Sequence, residues 1–64
     1  MEYYKITKRE ADVLRLINSG MSNIQIADEL EISENTVKRH INSLFRKTDT
    51  QSRSELIFKI ADIN

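Results

Sequence analysis

The chain contains no proline and a single glycine, Gly20, among its 64 residues. Tight hairpins draw on Gly, Pro and Asn-Gly corners, so a sheet-based fold lacks its usual turns, and nothing forbids helix along the chain. Helix boundaries must then come from capping side chains. A capping box needs Ser or Thr to accept the N3 backbone N–H, with Glu or Gln at N3 reaching back to the cap's own N–H. Thr7 with Glu10, Ser22 with Gln25, and Ser52 with Glu55 all fit. Ser33 is a fourth cap without the box, and Ile32 and Val37 around it are spaced as a hydrophobic staple. This spacing predicts helices over about 8–19, 23–30, 34–47 and 53–62, the first ended by Gly20 in a left-handed conformation.

The connections are short, and only Glu31, Ile32 and Ser33 lie between helices 2 and 3. That is the length of the turn in a helix-turn-helix, so the predicted fold is all-α, a four-helix (tetrahelical) helix-turn-helix bundle. The turn lacks its usual glycine, and Ile32 is expected to pin it into the core. A chain this short is one domain with one core, residues 1–64, its first five residues reading as a leader.

Composition excludes most chemistry. There is no cysteine, hence no disulfide and no thiolate. The lone histidine, His40, cannot build a His/Cys metal site and has no nucleophile or cleft to serve as a base. Asp28, Glu29 and Glu31 fall on different sides of a helix end and read as solvated rather than metal-binding. The expectation is no enzyme activity and no cofactor. No apolar run approaches the ~20 residues of a membrane span. The opening MEYYKITKRE is too polar for a signal peptide. The expected compartment is the cytoplasm, with no membrane partner.

Formal charge is zero, yet its distribution is polarised. Over residues 10–32 Arg15 stands against Glu10, Asp12, Asp28, Glu29 and Glu31, a net of −4. Over residues 33–53 Lys38, Arg39, Arg46, Lys47 and Arg53 stand against Glu34 and Asp49, a net of +3. In helix 3, Val37, Ile41, Leu44 and Phe45 form one apolar stripe, which leaves Asn35, Lys38, Arg39, Asn42 and Arg46 as a polar stripe opposite. Arg and Lys donate to guanine O6 and N7, and Asn pairs with adenine N6 and N7, so these side chains suit base edges in a major groove. A merely solvated face is the competing reading. The short capped helix and three-residue turn that precede the stripe favour DNA.

Other candidates surround it. Ser22 and Asn23 at the start of helix 2, and Thr36 in the first turn of helix 3, are placed to meet phosphates, as are Arg46 and Lys47 at its far end. His40 borders the stripe and could add a phosphate hydrogen bond. An RNA binder would present stacking aromatics, and Tyr3, Tyr4, Phe45 and Phe58 all fall off the stripe.

The segment ITKREADVLRLINSGMSNIQIADELEISENTVKRH closely resembles the helix-turn-helix domain of the LuxR/FixJ/NarL family of bacterial transcription regulators, in register over about residues 6–57. The resemblance rests on Thr7, Arg9, Glu10, Val13, Leu14, Gly20, Ser22, Asn23, Ile26, Ala27, Leu30, Ile32, Ser33, Thr36, Val37, Lys38 and His40. It implies a sequence-specific double-stranded-DNA-binding domain of the bacterial nucleoid. Its third helix would enter the major groove and its fourth would support a homodimer, formed weakly and mainly on DNA. Lys38, Arg39 and Asn42 would face bases, and Lys47 the backbone. RNA polymerase is a further implied partner, as is an N-terminal receiver or sensor domain in a full-length protein. The chain itself reads either as a C-terminal fragment of such a protein or as a short regulator without a sensor. Two departures stand out. Lys47-Thr48-Asp49-Thr50 replaces a Lys-Leu-Gly pattern, so the loop before helix 4 is expected to pack less tightly. Ile24 stands where lysine is common, as either a lost phosphate contact or an added apolar one.

Helix 4 spreads Leu56, Ile57, Phe58, Ile60, Ala61 and Ile63 over more than one core stripe. The expectation is that Ile57, Phe58 and Ala61 meet a second copy about a two-fold axis, on a pseudo-palindromic DNA site. The rival is a protein-interaction module that uses helix 4 and reads no DNA.

Overall fold

The computed structural model describes residues 5–63, with side chains through Ala61. The leader therefore lies largely outside the described residues, as do Tyr3, Tyr4 and the side chain of Ile63. The order is α1 (Lys8–Asn18), α2 (Asn23–Leu30), α3 (Glu34–Thr48) and α4 (Arg53–Ile63). Among the described residues there is no strand.

Two of the three expected capping boxes close fully. Thr7 Oγ1 accepts from Glu10 N–H at 3.1 Å and Glu10 Oε1 from Thr7 N–H at 2.9 Å. Ser22 and Gln25 repeat the pattern at 3.2 and 2.9 Å. The third box closes only by half. Glu55 N–H donates to Ser52 Oγ, but the Glu55 carboxylate takes the N–H of Gln51 instead of that of Ser52. The chain bends at Gln51 and Ser52, which brings the earlier N–H within reach. Ser33 caps α3 through the Thr36 N–H at 3.0 Å.

The first three helices end alike. Gly20 donates to Ile17 O and Met21 to Leu16 O, Glu31 to Asp28 O and Ile32 to Ala27 O, Asp49 to Arg46 O and Thr50 to Phe45 O. Each is a Schellman ending with a left-handed residue at its hinge. Gly20 takes φ 88° there, and Glu31 and Asp49 take φ 57° and 56°. A side chain in that conformation costs about 1 kcal/mol or more. Glu31 thus supplies the turn that glycine usually makes between the second and third helices, and two paired backbone bonds at each ending offset the strain.

One core joins the four helices. Val13, Leu14, Leu16 and Ile17 of α1, Ile26 and Ala27 of α2, Val37, Ile41 and Leu44 of α3, and Leu56 of α4 are buried together with Ile6. Ile32 packs against this cluster from the turn, half-buried as its sequence position suggests. The loop before α4 differs from expectation. Thr48 and Thr50 are both buried, Thr48 Oγ1 donating to Leu44 O at 2.7 Å and lying 2.9 Å from Thr50 Oγ1. Paired hydroxyls satisfy each other inside, so threonine replaces the usual apolar residues without loosening the loop.

Candidate nucleic-acid interface

The two faces of α3 separate cleanly. Val37, Ile41, Leu44 and Thr48 are buried, whereas Asn35, Lys38, Arg39, Asn42 and Arg46 are all exposed along the opposite side. Phe45 belongs to neither group. It was expected wholly on the apolar stripe, yet it is half-buried and borders a shallow depression with Arg39, Asn42 and Arg46. One aromatic therefore does edge the polar stripe. The cause is its place one residue past Leu44, rotated about 100° from it toward the polar side.

What orients α3 is a network that sequence spacing did not expose. Glu10 of α1 is buried, and its carboxylate accepts from Ser43 Oγ at 2.6 Å, Lys47 Nζ at 2.6 Å and the Thr7 N–H. Burial alone would raise the Glu10 pKa. The hydrogen bonds from Lys47, Ser43 and Thr7 and the Lys47 charge outweigh it and lower the value to about 2. Lys47 Nζ also donates to the Lys5 carbonyl at 3.1 Å. Lys47, expected to face phosphates, is half-buried and commits its ammonium to Glu10 and the Lys5 carbonyl, tying α1 to α3. The residue next to it, Arg46, stays exposed.

The start of α2 lies beside the stripe. Asn23, Lys38, Ile41, Asn42, Phe45 and Arg53 line one depression between the two helices. Ser22 is exposed, with its hydroxyl on the Gln25 N–H. Asn23 is half-buried and its Oδ1 accepts from Arg53 Nη1 at 2.7 Å. Arg53 Nη2 donates to the Met21 carbonyl. Thr36 is half-buried with its hydroxyl 2.8 Å from Ser33 Oγ, and His40 is half-buried at the edge of α3. Ile24 projects from the same flank, 67% exposed. Glu10, Ser43 and Arg53 were not among the candidate site residues. The capping role of Glu10 is visible in the sequence, but its contacts to Ser43 and Lys47 span 33 and 37 positions, beyond any local pattern.

On the far side, Leu56 alone of the described α4 side chains is fully buried. Ile57 is half-buried, Ala61 exposed and Phe58 77% exposed. Ile57, Ile60 and Ala61 face Ala11, Leu14, Arg15 and Asn18 across a groove between α4 and α1.

The sequence that forms this arrangement has counterparts among known proteins. The family model for bacterial regulatory proteins of the luxR family matches residues 5–60. The chain belongs to the luxR family. Three luxR-type relatives illustrate the similarity. The chain is 46% identical over 54 residues to an uncharacterized transcriptional regulatory protein, YhcZ, of Bacillus subtilis, covering 84% of this chain and 25% of that protein. It is 54% identical over 48 residues to the nitrate/nitrite response regulator protein NarP of Escherichia coli, covering 75% of this chain and 22% of NarP. It is 48% identical over 52 residues to the HTH-type transcriptional regulator MalT of Vibrio campbellii, covering 81% of this chain and 6% of MalT. The chain thus spans a quarter or less of these relatives. The luxR helix-turn-helix is a DNA-binding regulatory module and not an enzyme. No helix among the described residues is long and apolar enough to cross a membrane.

Proposed function

We propose that this domain binds double-stranded DNA sequence-specifically, with α3 in the major groove. The observation that carries the reading is the uninterrupted exposure of Asn35, Lys38, Arg39, Asn42 and Arg46 on one side of α3. Lys38, Arg39, Asn42 and Asn35 are the base-contacting set. Ser22, Asn23, Thr36, His40 and Arg46 flank it toward the phosphates, and the half-buried Lys47 fixes the pose of α3 through Glu10. Ile57, Phe58 and Ala61 supply the dimer contact, supported by the exposed Phe58, so two copies read a pseudo-palindromic site. The greater length of these relatives supports the action of this domain alongside a receiver or sensor domain, with RNA polymerase as the further partner of a bound regulator.

The test is fluorescence-anisotropy binding of the domain to duplexes enriched from a random pool, titrated in salt, with Arg39→Ala alongside. Affinity should fall linearly in log–log form with salt, and Arg39→Ala should lose about 1–3 kcal/mol of discrimination at one base position. A module that contacts only proteins through α4 predicts neither effect.

A further inference from the structure

We propose that Arg53 is a positioning residue for DNA binding, holding the Asn23 side chain so that its amide N–H groups donate to a backbone phosphate. The inference rests on the DNA reading above and deepens it. Arg53 stands in the first turn of α4, thirty positions from its partner, and its fork closes on two oxygens. Nη1 donates to Asn23 Oδ1 at 2.7 Å and Nη2 to the Met21 carbonyl at 2.5 Å.

A guanidinium carries donors and no acceptor, so the atom Asn23 turns toward it must be the carbonyl oxygen. The amide nitrogen then points the other way. Among the described residues no hydrogen bond is donated by Asn23 Nδ2, which leaves both of its protons for a ligand. Asn23 and Arg53 line two adjoining depressions. One opens on Lys38 and Asn42 of the polar stripe, the other on Ser22, Gln25 and Glu34. The amide therefore sits at the first turn of α2, beside the exposed face of α3, where the proposed pose brings the backbone of the duplex. The second bond, to Met21, grips the residue that leads from the α1 ending into the α2 cap.

The choice of side chain points the same way. At the start of a helix and against an arginine, aspartate would be the stronger partner, favoured by the dipole and by a charge-assisted bond. It would also face phosphate with a negative charge. Asparagine gives up that gain and keeps donors over.

Asn23→Asp is isosteric and retains the bond to Arg53, so its thermal midpoint should match or exceed that of the native domain. Its affinity for the enriched duplex should nevertheless drop at least about tenfold, through a lost donor and added repulsion. Arg53→Ala should also weaken binding, but in an Asn23→Ala background it should weaken it no further. Where Arg53→Ala unfolds the domain, Asn23→Asp carries the test. Native affinity in Asn23→Asp, or an undiminished Arg53→Ala loss in the Asn23→Ala background, overturns the proposal. A native domain without salt-sensitive binding, or without any effect of Arg39→Ala, overturns the DNA reading itself and this inference with it.

Discussion

Arg46 and Lys47 are adjacent basic residues of α3 with opposite fates. Arg46 lies exposed on the outer face with Lys38 and Arg39, whereas Lys47 turns inward onto Glu10 and the Lys5 carbonyl. One residue step along a helix is about 100° of rotation, enough to move a charge from open solvent to a half-buried ion pair. The basic excess read from the sequence therefore overstates the charge available to DNA. Lys47 is neutralised by Glu10, and Arg53 is half-buried against neutral oxygens. What remains outward on α3 is Lys38, Arg39 and Arg46. The inner face fixes where the helix lies, and the outer face is left with nothing structural to do.

Removing Lys47 tests the inner face most severely. The pair's side chains are only 29% and 7% exposed, so Lys47→Ala strands a buried carboxylate. The expected loss is about 3 kcal/mol in urea denaturation. A domain of this length is stabilised by roughly 3–10 kcal/mol, so that loss leaves little folded reserve. A fall of under about 0.5 kcal/mol would place Lys47 with the surface charges and abolish the contrast.

Acid should undo the same contact more gradually. Glu10 titrates near 2 in the folded domain against an ordinary 4.5. The unfolded chain takes up the proton first, so the stabilisation is complete above the unfolded value and is lost as pH falls from about 5 toward 2. It amounts to on the order of 3 kcal/mol, and Glu10→Gln should flatten that part of the pH profile of the urea midpoint.

Legibility followed the range of each interaction. Thr7, Ser22 and Ser33 cap helices whose partners lie three residues on, so sequence placed those helix starts correctly. Alternation along α3 told its outer face from its inner one because periodicity is all that question needs. Helix ends were legible only at Gly20, where a Cβ would meet nothing and the demand is purely conformational. Glu31 and Asp49 adopt the same conformation under the pull of backbone bonds, and their side chains give no sign of it. The Glu10 and Arg53 contacts join residues 30 or more positions apart, and no local pattern reports them. Thr48 and Thr50 departed from the family's apolar pattern and suggested a looser loop, since a sequence does not show that two hydroxyls will pair.

That pair offers a milder break of the inner face. Thr48→Val keeps shape but removes the bond to Leu44 O and leaves Thr50 without its partner. The expected cost is about 1–2 kcal/mol by urea denaturation, with DNA affinity unchanged once the folded fraction is allowed for. An accompanying loss of affinity would mean that the loop before α4 also sets the pose of α3.

The smallest effect on stability should come from the outer face, and it sharpens the comparison most. Arg39, Asn42 and Arg46 are exposed, and no hydrogen bond or ion pair among the described residues uses their side chains. Alanine at each should therefore change stability by no more than about 0.5 kcal/mol, and the poorer helix former Asn42 should even gain slightly. Affinity should divide the three. Arg39→Ala and Asn42→Ala should relax the preference at single base positions, whereas Arg46→Ala should weaken all sequences alike and reduce the salt slope by about one. A face that costs nothing to alter in the free domain and much to alter in the complex is a binding face. If the three substitutions instead destabilised the free domain, α3 would be holding itself together with its outer side, and the division of labour between Arg46 and Lys47 would disappear.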